Sequence, residues 1–266
     1  MNGRIIRAIA EKDLKEVRKN RIAVMAAIVL SIIFSVLLPL IITQIPALEG
    51  ASGSSGTIPI PPEISGQLAG LSPDQAIIVL FLGYLFAPLF LVLPLMLSSI
   101  IAAESFVGEK ERKTLEALIY TPATDLELFL GKVAAGMIPS LLFAWMNFAV
   151  YSVVANIASW PVIGKLWFPT LPWWWIMLWI VPGIALLGIS VTVLISSRVN
   201  TFMEAYQASG ILAIIVVALF IGQISGLIFL SPGLILLVGT LLFAADGALI
   251  WFGTKVFNRS ELIAGI

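Results

Sequence analysis

The chain alternates long apolar runs with short polar interruptions, and the runs can be measured against a bilayer. A helix rises 1.5 Å per residue, so crossing a hydrocarbon core of ~30 Å takes roughly 20 apolar residues. Six stretches meet that length, at residues 22–45, 75–103, 133–158, 173–197, 208–230 and 233–253. Pro46 stops the first. Pro88 and Pro94 give the long second run its kink sites, because a proline removes a backbone donor and crowds the preceding turn.

Ahead of the first run, "MNGRIIRAIAEKDLKEVRKNR" has a different pattern. Ile5, Ile6, Ile9, Leu14 and Val17 can share much of one helical side, leaving Arg4, Arg7, Lys12, Lys15 and Arg18 to face phosphates or acidic protein. This predicts a basic amphipathic helix on a membrane surface. A secretory signal has a shorter basic region and a small-residue cleavage site, so no cleaved targeting segment is expected.

The pattern breaks most sharply behind the second run. In "GEKERKTLEAL", Gly108 to Leu118, polar and charged residues dominate, whereas the whole chain is only 11% charged. Gly108 can end the helix of span two. Leu115, Leu118 and Ile119 then give a short helix over 113–120 one apolar side, and Pro122 stops it. Thr124, with Glu127 three residues on, forms a capping box that opens span three. The prediction is a helical hairpin with a charged tip at Glu109, Lys110, Glu111, Arg112 and Lys113. A solvated loop would explain the charge but not the apolar side, which has to bury itself in headgroups or in another protein. A tip of alternating sign suits docking in a defined register.

Composition narrows the class. The chain is 60% hydrophobic over 266 residues and has zero formal net charge. That is the balance of a membrane protein, and it gives no reason to expect a nucleic-acid partner. With no Cys and no His, disulfides, thiolate metal sites, the commonest metal ligand and the usual general base are all missing. No catalytic residue and no metal site is expected. Basic residues orient the spans: Arg4, Arg7, Lys12, Lys15, Arg18, Lys19, Arg21, Lys110, Arg112, Lys113, Lys132, Arg198, Lys255 and Arg259 fall on one side, and Lys165 alone on the other. The crowded side is cytoplasmic by the positive-inside rule, and with six spans both termini lie there, in a multi-pass protein of the cell membrane. On the opposite side, residues 47–74 form a Gly/Ser/Pro-rich loop with acidic charges only. Trp160, Trp167, Trp173, Trp174, Trp175 and Trp179 crowd the other outer loop and the start of span four. They read as an interfacial belt, or as rings that stack on a sugar or headgroup.

The run Glu-Lys-Glu-Arg-Lys-Thr-Leu-Glu, followed by Thr-Pro and then by Gly-Lys entering the next span, resembles the permease subunits of ABC-2 type transporters. The likeness is specific over Glu104–Lys132; elsewhere it rests on the six-span layout and the N-terminal segment. It implies that the hairpin is a coupling helix seated in a cleft of a separate nucleotide-binding subunit, beside an N-terminal helix on the inner membrane surface. Carried over, Glu109, Glu111, Arg112, Thr114, Leu115 and Glu116 become the ATPase contacts. No stretch has the form GxxxxGK[ST] (Gly50 to Thr57 has glycines but no lysine), so ATP and Mg²⁺ belong to that partner. The resemblance further implies two ATPase copies and a second permease chain, identical or different.

Polar groups inside the spans are costly and few. Asp246 lies about nine residues before Lys255, roughly 13 Å into the helix. It reads either as a pathway contact or as a structural hydrogen bond. Asn147 and Tyr151 share one face of span three, where they can bond across helices or line a path. Gln223 and Ser225, beside Gly222 and Gly226, are candidate exit residues. Glu204 and Arg198 read as a surface pair in the short inner loop.

Together these features predict an all-α membrane protein. It has one ABC-2 type domain over residues 1–266, six transmembrane helices, an N-terminal amphipathic interface helix and a cytoplasmic coupling helix between spans two and three. The expected function is a permease subunit, not itself an enzyme, exporting an amphiphilic, lipid-like, drug or polysaccharide cargo. The rival reading is an ion- or proton-coupled secondary transporter using Asp246.

Overall fold

A computed structural model describes residues 3–19, 21–46, 62–112, 124–196, 198–225, 228 and 230–256. Among these residues the chain is helical with no strand. Helix α1 is Gly3–Lys19. Helix α2 runs over Arg21–Ile32, a π turn at Ile33–Leu37, and Leu38–Ile42. Helix α3 is Pro62–Leu68, and α4 joins Pro73–Leu80 to a π turn at Phe81–Leu85. Helix α5 is Ala87–Glu111, α6 Asp125–Ile163 and α7 Leu171–Ser196. Helix α8 is Phe202–Ser209, α9 Leu212–Ile224 and α10 Pro232–Val256. Five helical stretches are long and apolar enough to cross a membrane: Ala87–Glu111, Glu127–Ile163, Leu171–Ser196, Phe202–Ile224 and Pro232–Trp251. Two shorter apolar helices, Ala27–Ile42 and Pro73–Leu85, precede them.

Local chemistry sets several boundaries. The capping box expected at Thr124 is present: the Glu127 N–H donates to Thr124 Oγ1 (3.3 Å), and the Thr124 N–H donates to Glu127 Oε2 (3.1 Å). Each bond satisfies one of the orphan donors of a first turn. Helix α6 stops at Gly164, whose φ of 70° is a left-handed conformation that costs glycine nothing. The second run breaks at Phe86, just before Pro88, one of its two expected kink sites, so it forms two helices, α4 and α5.

Other expectations are corrected. Gly108 does not end the span-two helix; a π turn at Glu104–Gly108 carries it on to Glu111. A Cβ at 108 would make only ordinary contact with the Glu104 carboxyl, at 3.4 Å, so the helix runs through this glycine without a close approach that requires it. The run 208–230 is interrupted at Gly210 and Ile211, where α8 meets α9. The short helix expected over 113–120, and its stop at Pro122, lie outside the described residues.

The tryptophans divide. Trp160, Trp174, Trp175 and Trp179 are exposed as a belt requires, but Trp173 is 0% exposed. It stacks on Tyr151 (ring centroids 5.1 Å) and Phe148 (5.7 Å), meets Phe90 and Phe168 edge-on, and donates from Nε1 to the Gly83 carbonyl (2.9 Å). An indole whose N–H finds a partner can be buried whole, so Trp173 is core. In contrast, Ile138, Leu142, Met146, Val150, Val153 and Ile157 run up one side of α6 with their side chains exposed. Such an apolar stripe suits hydrocarbon, not water.

Candidate functional site

The end of the bundle that carries α1, the last turns of α5 and the first turns of α6 buries a network of charges. Its centre is Lys132, 1% exposed. An ammonium has three hydrogens to place. Those of Lys132 go to Glu109 Oε2 (2.7 Å), Ser105 Oγ (3.1 Å) and the Ser105 carbonyl, and its charge sits over the Phe106 ring (5.2 Å). Asp13 of α1 lies 3.7 Å from the same ammonium and accepts from the Ser105 hydroxyl. Lys12 pairs with the other oxygen of Glu109, and Arg112 pairs with the buried Glu104. Three carboxylates thus face three cations. The three carboxylates and Lys132 are buried, while the Lys12 and Arg112 side chains stay 43% and 54% exposed. Burying the inner charges is tolerable only because each faces a charge of opposite sign.

The same helix end also reaches across to the segment before α8. Lys110 Nζ donates to the Val199 carbonyl (3.1 Å), and Glu111 Oε2 accepts from the Phe202 N–H (2.8 Å) at the first turn of α8. A carboxylate there satisfies an orphan donor and meets the positive end of the helix dipole. Glu204, expected to pair with Arg198, instead accepts from the Asn200 N–H (3.0 Å), while its own N–H donates to Thr201 Oγ1. The end of α5 is therefore a hub that joins α1, α6 and the start of α8.

The predicted docking residues fall into three groups. Glu109 is buried and held by Lys12 and Lys132. Glu111 and Arg112 are exposed at the tip, Glu111 bonded to the Phe202 N–H and Arg112 to Glu104. Thr114, Leu115 and Glu116 lie outside the described residues. Sequence reasoning missed the role of Asp13. Its signal was its place four residues after Ile9, on the side of α1 that becomes buried; an acid on that side calls for a buried cation. On the opposite face of α1, Arg7 donates to Glu11 (2.8 Å), and this hydrogen bond holds the exposed Glu11 carboxyl below the usual carboxylate range.

Toward the other end, two of the predicted pathway residues, Tyr151 and Gln223, bond to a backbone defect. The Phe86 N–H bonds to the Phe81 carbonyl, and Pro88 has no N–H for the carbonyl of Tyr84, four residues earlier. Side chains from three other parts of the fold supply donors to three consecutive carbonyls. Tyr151 Oη donates to Leu82 O (2.8 Å), Thr170 Oγ1 and Trp173 Nε1 to Gly83 O (3.2 and 2.9 Å), and Gln223 Nε2 to Tyr84 O (3.3 Å). Asn147 binds elsewhere: its Oδ1 accepts from Ser31 and Ser35 (3.0 Å) of α2, and its Nδ2 returns to Phe143 O (2.8 Å). Tyr151, Asn147 and Gln223 thus each make a bond between helices. Ser225 is exposed and donates to Gly222 O (3.0 Å). Asp246 is buried far from this defect, in α10.

The fold and its exposed apolar faces define a multi-pass, all-helical membrane protein. No protein-family model and no curated protein matches the sequence.

Proposed function

We propose that this chain is the membrane subunit of an ATP-driven transporter of ABC-2 type, seated in the cell membrane with both termini cytoplasmic. The observation that supports it best is the buried hub around Lys132. A force on the hairpin tip is passed by Glu109 and Lys132 to α6, by Asp13 to α1, and by Lys110 and Glu111 to the start of α8. A connection with no mechanical duty has no need of a balanced charge network, buried at its centre, that reaches out in each of these directions.

In this reading α2 is the first of six spans; at 1.5 Å per residue its backbone from Arg21 to Ile42 covers roughly 33 Å. The charged hairpin between spans two and three, residues 104–132, is the coupling element. A separate nucleotide-binding subunit in two copies supplies ATP and Mg²⁺ chemistry, and a second permease chain completes the path. Closure of the motors moves the hairpins, and the hub carries that motion into the bundle as a rigid body. The apolar interior favours export of an amphiphile such as a lipid, a drug or a lipid-linked polysaccharide.

The test is co-expression with each candidate ATPase encoded in the same genome, followed by purification and ATP hydrolysis in nanodiscs. Leu115→Glu and Glu116→Lys are expected to abolish co-purification. Glu111→Lys, which disturbs the bond to Phe202, is expected to leave binding intact and weaken the coupling of hydrolysis to this chain. Failure of any ATPase to bind the wild type would overturn the proposal.

A further inference from the structure

Helices α7 and α10 pack in parallel, and their register can be read from four contacts. The Trp179 indole lies against Gly239, where a Cβ would come within 3.0 Å of it, and its ring meets Phe243 edge-on (centroids 5.3 Å). A Cβ on Gly183 would stand 3.2 Å from Leu242 Cβ. One turn or more further along, Ile250 packs with Ile189 and Val193. Residues seven apart share a helical face. Ser190 follows Gly183 by seven and Asp246 follows Gly239 by seven, so both point into this one interface about a turn apart.

Both are buried, Asp246 at 0% exposure. Among the described residues the Ser190 hydroxyl and both carboxylate oxygens of Asp246 have no hydrogen-bond partner. Two polar groups orphaned in the same seam are unusual, because nearly every buried polar atom finds a partner. No compensating charge is at hand either. Residues 171–196, which make the facing helix, contain no titratable or charged side chain, and in α10 the only other charged residue is Lys255, roughly 13 Å along the helix. An ionised carboxylate in such a seam carries a desolvation penalty of several kcal/mol with nothing to offset it.

We infer that Asp246 and Ser190 form a proton-binding site in the seam between α7 and α10, with the carboxyl carrying the proton and the serine hydroxyl, about a turn away on the facing helix, taking its hydrogen bond once the two side chains turn toward each other. Ser190 is the natural acceptor, because a hydroxyl accepts from a carboxylic acid and still donates to its own helix's carbonyls. The proton exchanges with water only when α10 parts from α7, so occupancy of the site reports that movement. The site is built from α7 and α10 alone and stands whether or not an ATPase drives the chain.

Infrared difference spectroscopy on the protein in lipid vesicles tests this directly. At neutral pH the wild type is expected to show the carbonyl stretch of a protonated carboxylic acid that Asp246→Asn lacks. In Ser190→Ala that band moves to higher frequency, as a carbonyl does on losing hydrogen bonding. The Asn variant, isosteric with the neutral acid, keeps the wild-type melting temperature. The inference is overturned if the wild-type-minus-Asn spectrum contains carboxylate bands only, or if sodium or potassium ions raise the melting temperature of the wild type but not of the Asn variant. If the Asn variant does not fold, the wild-type-minus-Ser190→Ala spectrum alone decides: a shifted acid band supports the site and its absence removes it.

Discussion

Replacing Lys132 by Met probes the charged hub at its centre. The substitution keeps most of the stem and removes the ammonium, so Glu109 loses a 2.7 Å bond and Asp13 loses a charge 3.7 Å away. Both carboxylates stay buried, with Lys12, already bonded to Glu109, beside them. Removing one member of a buried ion pair costs about 3–5 kcal/mol, because the survivor keeps its desolvation penalty. In a protein of this size each kcal/mol is worth about 2–4 °C in melting temperature, so the drop is on the order of 10 °C. The control is the double variant Lys132→Met with Glu109→Gln, which removes one charge of each sign. It is expected to recover much of the loss, since neutral groups of similar volume tolerate burial. Thermal unfolding in detergent, followed by circular dichroism, measures both. A single variant within about 1 °C of wild type, or a double variant no better than the single, would refute the view that this network is dry and charge-balanced.

Other consequences are as direct. Gly239→Leu forces a side chain into the Trp179 indole and should separate α7 from α10, lowering the melting temperature by several degrees, at an overpacking cost of about 1–3 kcal/mol. Tyr151→Phe keeps the ring contacts to Phe90, Phe168 and Trp173 but strips the donor from Leu82 O; a loss of about 1 kcal/mol is expected, and a neutral result would mean another donor serves that carbonyl. Because the chain has no cysteine, single cysteines report sidedness cleanly. In intact cells a membrane-impermeant maleimide should label Ser54→Cys and spare Arg198→Cys until the membrane is permeabilised, and the reverse pattern would invert the orientation. Finally, the Arg7 hydrogen bond depresses the Glu11 carboxyl, so the contact is present at pH above the ordinary carboxylate range and is lost as pH falls through the lowered value. Amide exchange in the first turns of α1 should accelerate only on that acidic side.

Length and hydropathy carried much of the architecture. An apolar run of the right length has few alternatives, and Thr124 with Glu127 announced the start of α6 through chemistry confined to four residues. The failures lie where the answer depends on a neighbour distant in sequence. A helix apolar all round gives no periodicity from which to tell core from lipid, so Trp173 read like Trp174 and Trp175 although only the first is buried. Gly108 looked like a helix breaker because glycine usually costs helix stability, but the helix runs on through it to Glu111, whose neighbours Lys110 and Arg112 are tied to Val199 and Glu104 by contacts that only the fold reveals. The charged end was legible as a concentration of charge. Its pairing was not, because Asp13 and Lys132 come from helices far apart in the chain and meet only in the fold, directly and through Ser105.

The packing also indicates which helices move as one. Helix α5 is tied to α1 and α6 by the charged hub, and the π turn ahead of it receives donors from Tyr151 of α6 and from Thr170 and Trp173 at the start of α7. Between those ends the contact is backbone-close: a Cβ on Gly188 of α7 would stand 2.9 Å from Ser99 Oγ and 3.0 Å from the Leu95 carbonyl of α5. Interiors packed to this density have two arrangements or one, not a continuum. Helices α9 and α10 are held differently. Helix α9 contributes one long bond to the π turn, from Gln223 at 3.3 Å, and α10 meets α7 along a seam containing orphaned polar atoms, with Leu236, Leu237, Leu241 and Trp251 exposed on its other sides. The least costly rearrangement therefore leaves α1, α5, α6 and α7 intact and displaces α9 and α10 against them. The start of α8, which leads on into α9, is held at the charged end by Lys110 and Glu111, the residues at the root of the hairpin tip.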